Sequence, residues 1–151
     1  MTIKPTLALA ISCMLGVAAC GMPVEDTRPG QPVKTRQTAF KEMLRAFEPM
    51  GKMLRSEGYQ ADKFELMATR FMATRDAPWT LFGADTHYPP TKAKAEVWSR
   101  KEDFEREKQA FLSSSDALRA AAKTRQEDVV KEAYFKVYDQ CESCHKTFKE
   151  K

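Results

Sequence analysis

The sequence predicts an all-α fold, an antiparallel four-helix bundle, on three observations. Apolar side chains recur at alternating steps of three and four residues in long stretches beyond residue 33, the period of a helix with one buried face. Glycine and proline gather mainly between those stretches, where they end helices and shape loops. No run alternates apolar and polar residues convincingly as a strand would, and no segment repeats another. With 151 residues, the chain has room for one domain with a modest core.

The first element in chain order is a leader. Met1 to Lys4 carries one positive charge, and Leu7 to Ala19 is apolar apart from Ser12. Such a run is too short to span a bilayer and has the form of a secretory signal over residues 1–19. It closes on Leu15-Gly16-Val17-Ala18-Ala19-Cys20. Small residues before a cysteine resemble the lipobox of bacterial lipoproteins, which makes Cys20 the candidate lipidation site. Ordinary cleavage after Val-Ala-Ala is the alternative and would leave Cys20 as a free thiol. Several acyl chains anchor a protein stably where one does not. The expected location is therefore the periplasm, by a lipid anchor. Gly21 lacks the acidic signal for inner-membrane retention, so the outer membrane is favoured; without acylation the protein is expected to be soluble in the periplasm. Residues 20–32 hold three prolines, two glycines and no period. They read as a flexible tether with an average span of roughly 20 Å.

The bundle is expected over residues 33–151. Val33, Arg36, Phe40, Met43, Phe47, Met50 and Leu54 succeed one another at steps of 3, 4, 3, 4, 3 and 4, a bundle seam. Pro49 should kink or divide that helix, and Gly58 should stop it. A second helix is predicted from Ala61 to Arg75, with Phe64, Met67 and Phe71 inward. Between Asp76 and Lys94, Pro78, Gly83, Pro89 and Pro90 break the period, but Trp79, Phe82 and Tyr88 require partners. That segment reads as an ordered loop. A third helix is predicted from Glu96 to Ala122, with Val97, Phe104, Phe111 and Leu118 at heptad spacing. The fourth runs from Gln126 to Lys149, with Val130, Tyr134, Val137, Cys141, Cys144 and Phe148 inward. Four such helices imply an antiparallel bundle.

The last helix carries the chemistry, Cys141-Glu142-Ser143-Cys144-His145. This Cys-x-x-Cys-His pattern is the attachment signature of a c-type haem. Cysteines at i and i+3 share a helix face, so both sulfurs can form thioethers with the two vinyl groups of one porphyrin. His145 can then ligate the iron. The competing readings are a redox dithiol and a zinc half-site. A thioredoxin-like pair opens a helix after a strand, whereas this pair closes a long helical pattern. A zinc site needs further Cys or His ligands, and the other histidine, His87, lies in a loop. One haem is the expected cofactor, held through Cys141 and Cys144. Arg36 interrupts the seam of the first helix; it is expected to snorkel to solvent at the bundle end or to stand as a cation beside a haem propionate or over the open face of the ring, and the two can hold together.

Four segments together resemble the cytochrome c′ family: the Cys-x-x-Cys-His on the last helix, Arg36-Gln37-Thr38-Ala39-Phe40-Lys41-Glu42-Met43, Pro78-Trp79-Thr80-Leu81-Phe82-Gly83, and Glu96-Val97-Trp98-Ser99. The resemblance covers residues 33 to 151. It implies an up-down-up-down bundle with covalently attached haem, five-coordinate through His145 and open on the other side. It implies that NO and CO bind there and O₂ generally does not, and that a homodimer is common. Phe40 falls in the segment similar to the family's distal wall. Six-coordinate relatives of cytochrome c-556 type commonly carry a ligating methionine there. A phenyl ring cannot ligate iron, so Phe40 favours an open site; Met43, one turn on, keeps the Met-ligated alternative. Lys149, four residues after His145, stands where the family more often has arginine near the proximal imidazole. It is either a tuning charge or a solvated cation meeting the helix dipole.

Without Lys4 the mature chain would hold 24 basic and 21 acidic residues, a net charge near +3. The two signs are interspersed, which is no nucleic-acid footprint. Basic residues near the haem edge would steer an acidic redox partner of unknown identity. The expected function is a periplasmic haem protein that binds diatomic gas and passes single electrons, not an enzyme. The rivals are a six-coordinate electron carrier, an enzyme using the open iron, and a haem-free lipoprotein.

Overall fold

In the computed structural model, which describes residues 24–151, the helices are α1 (Pro32–Lys52), α2 (Ala61–Thr74), α3 (Glu96–Ser99), α4 (Lys101–Thr124) and α5 (Glu127–Phe148). Helix α1 packs on α2, α2 on α4, and α4 on α5. Among the described residues the sole β feature is one antiparallel bridge, Ala93 to Lys149, flanked by Lys94 N donating to Phe148 O at 3.0 Å and Glu150 N to Lys92 O at 2.8 Å. No described helix is long and apolar enough to cross a membrane. The leader and Cys20 lie outside the described residues.

The seam of α1 forms much as its spacing predicts. Val33, Met43, Phe47, Met50 and Leu54 are all buried, and Phe47 stacks on Tyr134 of α5 with ring centroids 4.5 Å apart and planes 11° off parallel. Pro49 does not divide the helix. It lies on the solvent side, and burial of Met50, Met53 and Leu54 keeps the backbone on the bundle after the proline withdraws its N–H. After Lys52 the chain winds as a π-helix over Met53–Glu57. Gly58 then ends it at φ 80°, a left-handed value that a side chain would resist.

Two expectations change. The segment predicted as a flexible tether is docked from Asp26 onward. Asp26 is 2% exposed, and its carboxylate accepts from Val33 N at 2.8 Å, Lys34 N at 3.0 Å and the Tyr88 hydroxyl at 2.8 Å. It caps α1 from outside the helix, because Gln31 at the cap position makes no side-chain cap bond and the first helical N–H groups need an acceptor. The third helix, predicted as continuous, is broken at Arg100, whose φ −119° and ψ 53° leave the helical region. The reason lies in the preceding turn. The Trp98 indole donates to Gly83 O at 2.8 Å and its ring meets Phe82 at 6.3 Å, which ties α3 to the loop rather than to the axis of α4.

The loop itself is ordered. Trp79 opens a single 3₁₀ turn to Leu81, its indole donating to Arg75 O at 2.7 Å. Arg36 holds the far side, and its burial overturns the expectation that it snorkels to solvent at the bundle end: it is 3% exposed. Its guanidinium donates to Leu81 O at 2.8 Å, Thr86 Oγ1 at 2.9 Å, Thr86 O at 3.3 Å and Thr91 Oγ1 at 2.8 Å, with the Phe82 ring 4.5 Å away. Four of the five N–H donors of an arginine are spent on the loop. Its role in the structure is a clasp between α1 and residues 81–91.

Candidate haem site

Helix α5 starts after Gln126, with Glu127 and Asp128 in its first turn, where acids meet the positive end of the helix dipole. Val130, Tyr134 and Val137 bury its inner face, and Cys141 and Cys144 follow one and two turns after Val137 on the same side of the helix. Both cysteines are unpaired and half-buried. Burial pushes the Cys141 thiol up to about 11. Burial, and then the charge of Glu107, push the Cys144 thiol up to about 12. Such thiols stay protonated at neutral pH, the reverse of the depressed values in reactive dithiols. Among the described residues no three His, Cys, Asp or Glu converge to hold a metal ion.

His145 follows on the last turn and is exposed as a residue. Partial desolvation, then the Lys149 cation, hold its pKa below the usual value, with Glu142 opposing. A lowered pKa keeps the imidazole neutral, the form that binds iron. Lys149 is the C-cap of α5, its N–H donating to His145 O at 3.2 Å, and it is exposed. It is thus both solvated and close enough for its charge to reach the imidazole.

Phe40 is half-buried and meets Trp79 edge-on at 5.6 Å and Phe82 at 6.1 Å. It packs against the same core that Cys141 touches. Met43 is 8% exposed and lies within that core. Arg36 is drawn into the loop, as described above.

One residue of the cleft escapes a reading of heptads alone. Phe104 of α4 meets Phe148 of α5 at 5.3 Å. The two helices are joined through Arg125 and Gln126 and run antiparallel, so one turn inward from that pair Glu107 comes opposite Cys144. Its Oε2 is buried and has no hydrogen-bond partner. The signal lay in the sequence: Phe104, Glu107 and Phe111 step by three and four, which puts an acid on an inward face. The charge of Glu107 reaches Cys144, so an orphaned carboxylate oxygen stands near one of two unpaired thiols, a donor set that fits a further group bound there. Cys141, Cys144 and His145 are the residues that would hold a c-type haem.

The family model of cytochrome c′ matches residues 31–149. The cytochrome c′ of Rubrivivax gelatinosus is 30% identical over 130 residues, spanning 82% of this chain and 98% of the relative. That of Alcaligenes xylosoxydans xylosoxydans is 28% identical over 125 residues, spanning 82% and 97%. Among solved structures, the nitric oxide complex of a leucine-to-isoleucine variant of the Alcaligenes xylosoxidans protein matches with a TM-score of 0.77 at 28% identity, covering 84% of this chain and all of that one. Cytochrome c prime from Shewanella frigidimarina matches with a TM-score of 0.77 at 29% identity, covering 83% and 98%. A carbon-monoxide-bound variant of the Alcaligenes protein also has a TM-score of 0.77, at 28% identity, covering 84% of this chain and all of that one. The match spans α1 to α5 and takes in the cysteine pair, the histidine and the clasped loop, so this chain belongs to the cytochrome c′ family.

Proposed function

We propose that the protein carries one haem c, bound covalently through Cys141 and Cys144 and ligated by His145, with an open sixth position. On this reading it binds NO and CO and passes single electrons in the periplasm, as a non-enzymatic haem protein. Related structures hold NO and CO, which supports the choice of gas. The observation that carries the reading is Phe40: it sits edge-on in the Trp79 and Phe82 cluster and brings no iron-binding atom to the place where six-coordinate relatives have methionine. The haem supplies the gas-binding iron. The chain's own part is to hold it by two thiols, offer a neutral imidazole, and keep the wall around Phe40 dry, which selects by polarity and steric access. Cys20 would add a lipid anchor, with the outer membrane the favoured destination. A homodimer and an acidic redox partner complete the proposal.

The test is the ferrous spectrum with CO kinetics. A high-spin spectrum and CO binding without prior ligand loss are expected, with faster binding in Phe40→Ala. Phe40→Met should move the spectrum toward low spin. A low-spin wild-type spectrum, with CO binding limited by loss of a protein ligand, would instead assign the sixth position to Met43 and make the protein an electron carrier of c-556 type.

A further inference from the structure

We propose that Glu107 is a built-in anionic group of the haem cleft that lowers the reduction potential of the iron and so favours its ferric form. The inference rests on the haem reading above and adds a residue and a direction to it. Three observations carry it. The Phe104–Phe148 contact at 5.3 Å sets the register of α4 against α5 and brings Glu107 opposite Cys144, the second attachment residue. The Glu107 carboxylate has one oxygen buried without a partner, so its charge is neither hydrogen-bonded there nor fully hydrated. The neighbouring cations are turned elsewhere: Lys108 pairs with Glu105 at 3.0 Å, and Arg106 pairs with Asp103. Glu107 itself enters no ion pair among the described residues.

An unneutralised, part-desolvated negative charge acts through low-dielectric surroundings, where its field is strong and poorly screened. Reduction adds one electron from a one-electron donor and lowers the positive charge on the iron by one. No bond at Glu107 forms or breaks. A fixed anion stabilises the more positive ferric state over the ferrous one, so the potential falls.

The experiment is a spectroelectrochemical titration of the intact holoprotein and of Glu107→Gln, which keeps shape and removes charge. The variant should favour the ferrous form by about tenfold at fixed ambient potential, on the Coulomb scale for an interior charge. For a one-electron couple that is an upward shift of about 59 mV. The shift should persist in high salt, whereas Glu105→Gln, a change at an exposed ion pair, should leave the potential where it is. Glu107→Asp, which restores the charge, should return most of the shift. An unchanged potential in Glu107→Gln overturns the proposal, as does a shift that Glu107→Asp fails to reverse. If Glu107→Gln does not load haem, the ferric-minus-ferrous infrared spectrum of Glu107→Asp against wild type decides: a carboxylate band that moves with iron state and differs between the two is expected, and its absence overturns the proposal. Failure of the haem reading itself looks different, as a wild-type protein with no pyridine haemochrome.

Discussion

Gly51 shows how narrowly a single position can be set. It lies in α1 against Tyr134, and a Cβ built there would fall 2.7 Å from Cζ of that ring. Tyr134 cannot swing aside without losing its stack on Phe47. Gly51→Ala gains about 1 kcal/mol of helix propensity, but overpacking costs about 1–3 kcal/mol, so the clash should win. Urea denaturation should show a lower midpoint with an unchanged slope. Arg36 is the second residue whose neighbours decide its worth. Arg36→Met keeps the bulk but leaves the acceptors at Leu81, Thr86 and Thr91 unserved, at roughly 1–3 kcal/mol for each one that stays buried. The expected result is a lower melting temperature together with faster amide exchange over residues 81–91. Both residues teach the same lesson about legibility. The interruption of the seam at Arg36 was plain in the spacing, but its partners lie about 50 positions away, and spacing carries no information about them.

At the scale of elements, the segment ahead of α1 and the loop ahead of α3 form one clasp. Asp26 is raised by burial but lowered further by bonds from Lys34, Tyr88, Arg28 and Val33, and ends below its usual 3.8. Its contribution is therefore complete above pH 3.8 and is lost as pH falls through the folded value. Tyr88 moves the other way. Burial, then its bond to Asp26, raise it above 10.0, so its contribution holds below pH 10.0 and disappears as pH rises through the folded value. Amide protection at Val33 and Lys34 should fall at both limits, and Asp26→Asn should flatten the acid limb. A composition rich in proline and glycine concealed this docking, because the cap comes from six residues upstream of the helix rather than from its own cap position. Helix α5 is the opposite case, since its function is written in its own spacing. Ala at either Cys141 or Cys144 should weaken covalent haem retention, and the double change should abolish it. Haem still bound to the double variant after acid-acetone extraction would contradict the attachment proposed here.

For the whole molecule, the helices and their order follow closely from periodicity, because each buries one face and the breaks fall at Gly58, Gly83 and the prolines of the loop. The cysteine pair and His145 were legible for the same local reason. The break at Arg100 depends on what the loop presents to Trp98, and spacing puts Glu107 on an inward face without showing that its oxygen finds no partner there. Lipidation belongs to this scale too. If Cys20 is acylated, the wild-type protein should partition with membranes and Cys20→Ser should not, and the mature mass should carry acyl chains. A mass without them would leave a soluble periplasmic protein.

Both tryptophans of the chain are tied to the same loop, Trp79 through Arg75 O and Trp98 through Gly83 O. Light absorbed anywhere among the indoles therefore reports from one small region, beside Phe40 and Phe82. A porphyrin in the adjoining cleft would drain that excitation by energy transfer. Emission should be dark in the loaded, clasped protein and brighten when either the pigment or the loop is lost, so the molecule comes with its own optical gauge of assembly.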